Sequence, residues 1–198
     1  MKRVFGCGLL TALMVGALVL SAAWMLRCYQ ACVQAEIELE SGWTEIETLC
    51  RQRENLVPAL TATLRGLRGS AAAGLRELEE ANAAASGLVL SPEILHEPQR
   101  LDEFARVQQA LSVQIATTLN GIRDNAGLSR QPTLSRLVTR LQACEERREE
   151  TTERFNRAAA GFNQRIETFP DSLVAELFGI RTMPQLPTSE AVTDGKAR

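Results

Sequence analysis

Histidine and tyrosine are nearly absent from this 198-residue chain, which has only His96 and Tyr29. A lone imidazole leaves general acid–base chemistry without its commonest carrier and excludes a multi-histidine metal site. An excess of charge of one sign is also lacking, since 22 Lys and Arg stand against 24 Asp and Glu, for a net charge of −2. That balance excludes the basic footprint by which a protein holds nucleic acid. No run of alternating polar and apolar residues points to a strand. No catalytic motif is found, and no catalytic, cofactor-binding or metal-binding residue is assigned. What the chain does have is 45% hydrophobic and 23% charged residues, enough apolar material for a folded core.

The first long feature is an uncharged stretch from Val4 to Leu26, bounded by Lys2-Arg3 and Arg27. At the helical rise it covers roughly 34 Å, enough to cross a hydrocarbon core with some tilt. Trp24 and Tyr29 fall near its far end, where amphipathic rings prefer the water boundary. Ser21-Ala22-Ala23 resembles a cleavage site, but the apolar stretch is long for a signal peptide, so an anchor over residues 1–27 is expected. Charge on the flanks favours a cytoplasmic N-terminus and an exported body. Gly8, Ala12 and Gly16 are spaced four apart. Small residues at that spacing let two spanning helices approach, making a homo-oligomer possible.

Beyond the anchor, apolar residues recur at alternating steps of three and four. One stripe runs through Leu39, Trp43, Ile46, Cys50, Arg53, Val57, Leu60, Leu64 and Leu67, broken only by Arg53. The aliphatic stem of that arginine can lie along the seam. Pro58 is expected to bend or break this helix, because its ring displaces a backbone hydrogen bond. The alanine-rich stretch Ala71 to Ala85 can be helical while burying little surface. A second stripe holds Leu101, Phe104, Gln108, Leu111, Ile115 and Ile122; a third includes Leu134, Leu141, Cys144, Arg148, Phe155, Phe162 and Ile166. Asp171-Ser172 reads as the cap of a short last helix closed by Gly179. The expected fold is all-α: an N-terminal transmembrane helix, then an antiparallel bundle of three long helices plus a short C-terminal helix over residues 28–181. Residues 182–198 read as a disordered tail.

Two segments resemble the LemA family of bacterial membrane-anchored helical proteins. WTEIETLCRQRENLVPAL, from Trp43 to Leu60, is similar to that family's tryptophan, arginine and Leu-Ile-Pro-Asn-Leu signature and carries Trp43, Arg53 and Pro58. RFNRAAAGFNQRIETFPDSLVAELFGI, from Arg154 to Ile180, follows the family's closing pattern and carries Asn156, Asn163, Phe169, Pro170 and Gly179. Glu145 and Arg147 match a Glu-Asn-Arg-Ile stretch in which Glu146 and Arg148 are departures; Gln52, Asn55 and Ala59 depart from the first signature. The resemblance implies a single-pass, bundle-forming protein of the bacterial inner membrane with no established reaction. It also implies an outward-facing N-terminus, opposite to the reading from flanking charge.

Five cysteines, at 7, 28, 32, 50 and 144, raise a redox or metal reading. Cys28 and Cys32 share a helix face but lie at the edge of disulfide reach, and further ligands are lacking. Cys50 and Cys144, on two stripes, read as small core residues, and theirs is the one pairing worth testing. The run Glu145 to Glu150 reads as a solvated face with internal ion pairs. Asn156 and Asn163, seven apart, read as buried amides that fix helix register. Anchor, helical rod and missing chemistry together lead to a membrane-anchored scaffold or adaptor, not an enzyme, that binds partner proteins along its faces. The alternative is a non-catalytic subunit of a membrane assembly, in envelope stress, proteolysis or organelle-membrane remodelling.

Overall fold

A computed structural model describes residues 2–67 and 74–188, with the side chains of residues 2–12 outside that description. Six α-helices occur among the described residues: α1 (Lys2–Gly66), α2 (Leu75–Ser86), α3 (Pro98–Asp124), α4 (Ala126–Ser129), α5 (Pro132–Glu167) and α6 (Asp171–Phe178). A single turn of 3-10 helix, Pro92–His96, precedes α3, and no strand occurs among the described residues. The chain divides into two compact units. One unit comprises Met1–Leu39 with Ala158–Met183, the other Glu40–Arg157 with Pro184–Arg198.

In the first unit, α1 is long and apolar enough to cross a membrane. Its large apolar side chains from Leu13 to Leu26 are exposed, Leu18 and Leu20 by 65% and 72%. Such a run left in water would be an apolar patch well beyond what a soluble monomer carries. Further along the same unit Cys32, Leu39, Ala159, Phe162, Ile166 and Val174 are buried. α6 follows from a turn at Phe169 and Pro170, whose peptide bond is cis. Gly179 closes it with φ of +67°, a left-handed conformation open to glycine, and the Ile180 amide donates to the Ala175 carbonyl. The expected cap at Asp171-Ser172 is not made. Pro170 is the first flanking residue and no side chain caps the helix, because Asp171 accepts from Arg165 instead.

The second unit is built around Val57, Leu60, Leu64, Leu78, Leu111, Ile115, Leu134 and Leu141, drawn from α1, α2, α3 and α5. Two expectations change here. α2 is more than an alanine filler, because Leu75, Leu78 and Ala85 are fully enclosed in this core. α1 also continues through Pro58 to Gly66 without a break. Only one backbone bond is forgone there, and burial of Val57 and Leu60 on either side outweighs it. α3 ends at Asp124, and the Asn125 side chain then accepts from the Gly127 and Leu128 amides to start α4.

Candidate functional site

Each of the three apolar stripes is interrupted by a polar residue, and in the second unit those interruptions meet. Arg53 on α1 is completely buried. Its Nη1 donates to Ser112 Oγ of α3 at 2.8 Å and to Glu145 Oε1 of α5 at 2.9 Å, and its Nη2 donates to Gln108 Oε1. Gln108 Nε2 donates in turn to Glu54 Oε1 at 3.4 Å. Glu54 is paired with Arg51 Nη1 at 3.0 Å, and Arg51 Nη2 reaches the Leu88 carbonyl at 2.7 Å. On the other side Arg148 Nε donates to Glu145 Oε2 at 3.3 Å. A guanidinium presents its donors in a planar fork, which lets one residue bind partners on two neighbouring helices. Three guanidinium groups thus share two carboxylates, and each carboxylate is already occupied by cations. The cluster ties α1, α3 and α5 together in one register.

This arrangement changes the reading of the charged run. Glu145 turns inward to Arg53, and Arg148 is mostly covered. Glu146, Arg147 and Glu150 remain exposed. Trp43, the other conspicuous residue of the first signature, is buried edge-on against Phe104, with ring centroids 5.1 Å apart.

The two asparagines do something the sequence did not disclose. In the second unit Asn156 Nδ2 donates to the Leu186 carbonyl, and its Oδ1 accepts from the Leu186 amide, both at 2.7 Å. In the first unit Asn163 makes the same pair with Met183, both at 2.8 Å. Leu186 and Met183 are buried, so residues 182–188 are not a disordered tail. An extended chain needs partners for its backbone groups, and a carboxamide supplies one donor and one acceptor at once. Residues 189–198 lie outside the described residues.

Open surface lies on both sides of α5. Between α1 and α5 a groove of about 550 Å³ is floored by Leu56, Ala59, Leu137 and Cys144 and edged by Arg140 and Arg147. Between α3 and α5 a shallower groove of about 400 Å³ is lined by Val113, Leu119, Glu145, Glu146 and Glu149.

The thiols divide by place. Cys50 and Cys144 are buried and unbridged, and Cys144 Sγ donates to the Leu49 carbonyl. Burial pushes the Cys50 thiol up to about 11. Cys28 is raised by loss of water and by its hydrogen bond to Asp171, while Arg165 beside Asp171 holds that carboxyl below its usual range. Among the described residues no group of three or more His, Cys, Asp or Glu is placed to share a metal ion. Of the small residues Gly8, Ala12 and Gly16, Gly16 has open space around it, and the side-chain surroundings of Gly8 and Ala12 lie outside the described residues.

The sequence reading missed Glu54, Ser112, Arg51, Met183 and Leu186. A signal for the first two was present: Arg53, Gln108 and Arg148 each break a stripe, and polar breaks in facing helices must find one another or remain unpaired. For the tail residues no local signal existed. No curated protein matches the chain. The family model described as LemA family matches residues 42–196, from just before the buried tryptophan to beyond the asparagine-held segment. On a match covering most of its length, the chain belongs to the LemA family.

Proposed function

We propose that this protein is a single-pass, membrane-anchored scaffold or adaptor without catalytic activity, whose long helices form an antiparallel three-membered bundle and bind partner proteins along their faces. The observation that carries this reading is the groove between α1 and α5. It is wide, open and apolar at its floor, and Arg140 and Arg147 stand at its edge. An amphipathic helix laid into such a groove buries its apolar face there, and acidic flanking residues match the two arginines. The Arg53 cluster supports the same role, since a register held by hydrogen bonds keeps the groove in one shape. The anchor sits in the bacterial inner membrane with its N-terminus in the cytoplasm and the helical body exported. Gly8, Ala12 and Gly16 give two copies a surface for close approach within the bilayer.

A photo-crosslinking amino acid placed at Ala59 in the full chain, expressed in its own cells, tests the reading. A discrete adduct that disappears in the Arg140→Glu/Arg147→Glu background supports a protein partner held in the groove. Absence of any adduct, or adducts indifferent to the charge reversal, overturns it.

A further inference from the structure

α6 wears its apolar residues on the outside. Phe169, Leu173 and Leu177, spaced four apart, are exposed by 74%, 57% and 66%, and Phe178 by 51%. Val174 and Ala175 on the inner side are buried, so the helix is already docked by one face, and the outer face is surplus to folding. An eight-residue helix at a water-facing surface ordinarily carries polar residues there.

One contact fixes where this face lies. The Phe178 ring packs on Tyr29 with centroids 4.6 Å apart. Tyr29 is three residues past Leu26, the last residue of the uncharged run, or about 4.5 Å of helical rise. That is within the headgroup layer, where aromatic rings gather and where amphipathic helices lie in the membrane plane.

We propose that α6 and Phe169 form a second membrane contact beside the exit of the span, with Phe169, Leu173 and Leu177 entering the boundary between lipid headgroups and acyl chains. The inference rests on the reading of residues 4–26 as a membrane span. It adds a function for the closing Phe-Pro and Leu-Phe-Gly segments: they hold the first unit against the lipid surface, so that the anchor cannot swivel freely beneath it.

An environment-sensitive fluorescent amino acid is placed singly at Leu18, Ala110 or Leu177 of the full chain. Each protein is reconstituted in phosphatidylethanolamine–phosphatidylglycerol vesicles at a lipid excess that keeps copies apart. Lipids brominated high on the acyl chain then serve as the quencher. The expected result is severalfold quenching at 18 and at 177, and none at the exposed position 110 on α3. Quenching at 18 without quenching at 177 overturns the proposal while leaving the span intact, and would assign the outer face of α6 to a protein partner or a second copy. No quenching at 18 overturns the span and the proposal together.

Discussion

Asn156 and Leu186 exchange two hydrogen bonds of 2.7 Å, the side-chain amide reading both backbone groups of a residue thirty positions away. The contact is blind to the Leu186 side chain, which is buried separately. It therefore holds the chain by its backbone, as a neighbouring strand would, without a sheet being present.

Replacing Asn156 separates donor from acceptor. Asn156→Ala removes both bonds and leaves a buried amide and carbonyl unpaired, at a local cost of about 2 kcal/mol. Asn156→Asp keeps the acceptor for the Leu186 amide but sets a carboxylate against the Leu186 carbonyl, so it rescues only part of the loss. Hydrogen exchange at the Leu186 amide and protease cleavage within residues 182–188 read the release. Both should rise sharply in the alanine variant and less in the aspartate variant. Unchanged exchange in both would show that burial of Leu186 alone retains the segment.

Arg53 is the most exposed to test of the buried groups, because three partners depend on it. Arg53→Met leaves Glu145 with Arg148 as its remaining cation and Gln108 Oε1 without its donor, and should destabilise the full chain by about 2–3 kcal/mol. Arg53→Lys keeps the charge but not the fork, and is expected to fall between the two. Glu145→Gln should cost less in the Arg53→Met background than in the parent chain, a coupling measurable by thermal unfolding of the reconstituted protein. Strict additivity of the two changes would mean that the pair contributes nothing as a pair.

Cys50 gives the molecule an alkaline weakness. Burial raises its thiol from an ordinary 9.0 to about 11, so the folded chain keeps a proton that the unfolded chain gives up earlier. The stabilisation is whole below pH 9 and is lost as pH rises from there through about 11, the loss totalling about 3 kcal/mol above that pH. Cys50→Ala should flatten the fall in stability across that window, and the native thiol should resist disulfide reagents at neutral pH while Cys28, half-buried, reacts first. A pH profile unchanged by Cys50→Ala would place the alkaline transition on another group.

Much of the architecture was legible from local pattern. The uncharged run, the three stripes and the Phe-Gly close of α6 are signals that act over a few residues, and the helices follow them. Pro58 reads as a bend or a break from propensity, which weighs one lost bond and not the core residues on either side, and the helix runs on through it. α2 was misread for a related reason, since Leu75 and Leu78 are too few to declare a buried face until Leu111 and Ile115 are set against them. The charged run from Glu145 to Glu150 carries a solvated composition, yet its first member turns inward to an arginine ninety-two residues earlier.

Periodicity and composition are written residue by residue, and from them came the helical class and a helix apolar enough to cross a membrane, while two short motif-bearing segments carried the family. Tertiary structure decided which polar residue of each stripe faces which, that Asn156 and Asn163 bind the backbone of Leu186 and Met183, and that those two residues are core. Those outcomes depend on the register of helices far apart in sequence, where a shift of one residue turns a side chain by about 100° around the axis and changes every partner it can reach.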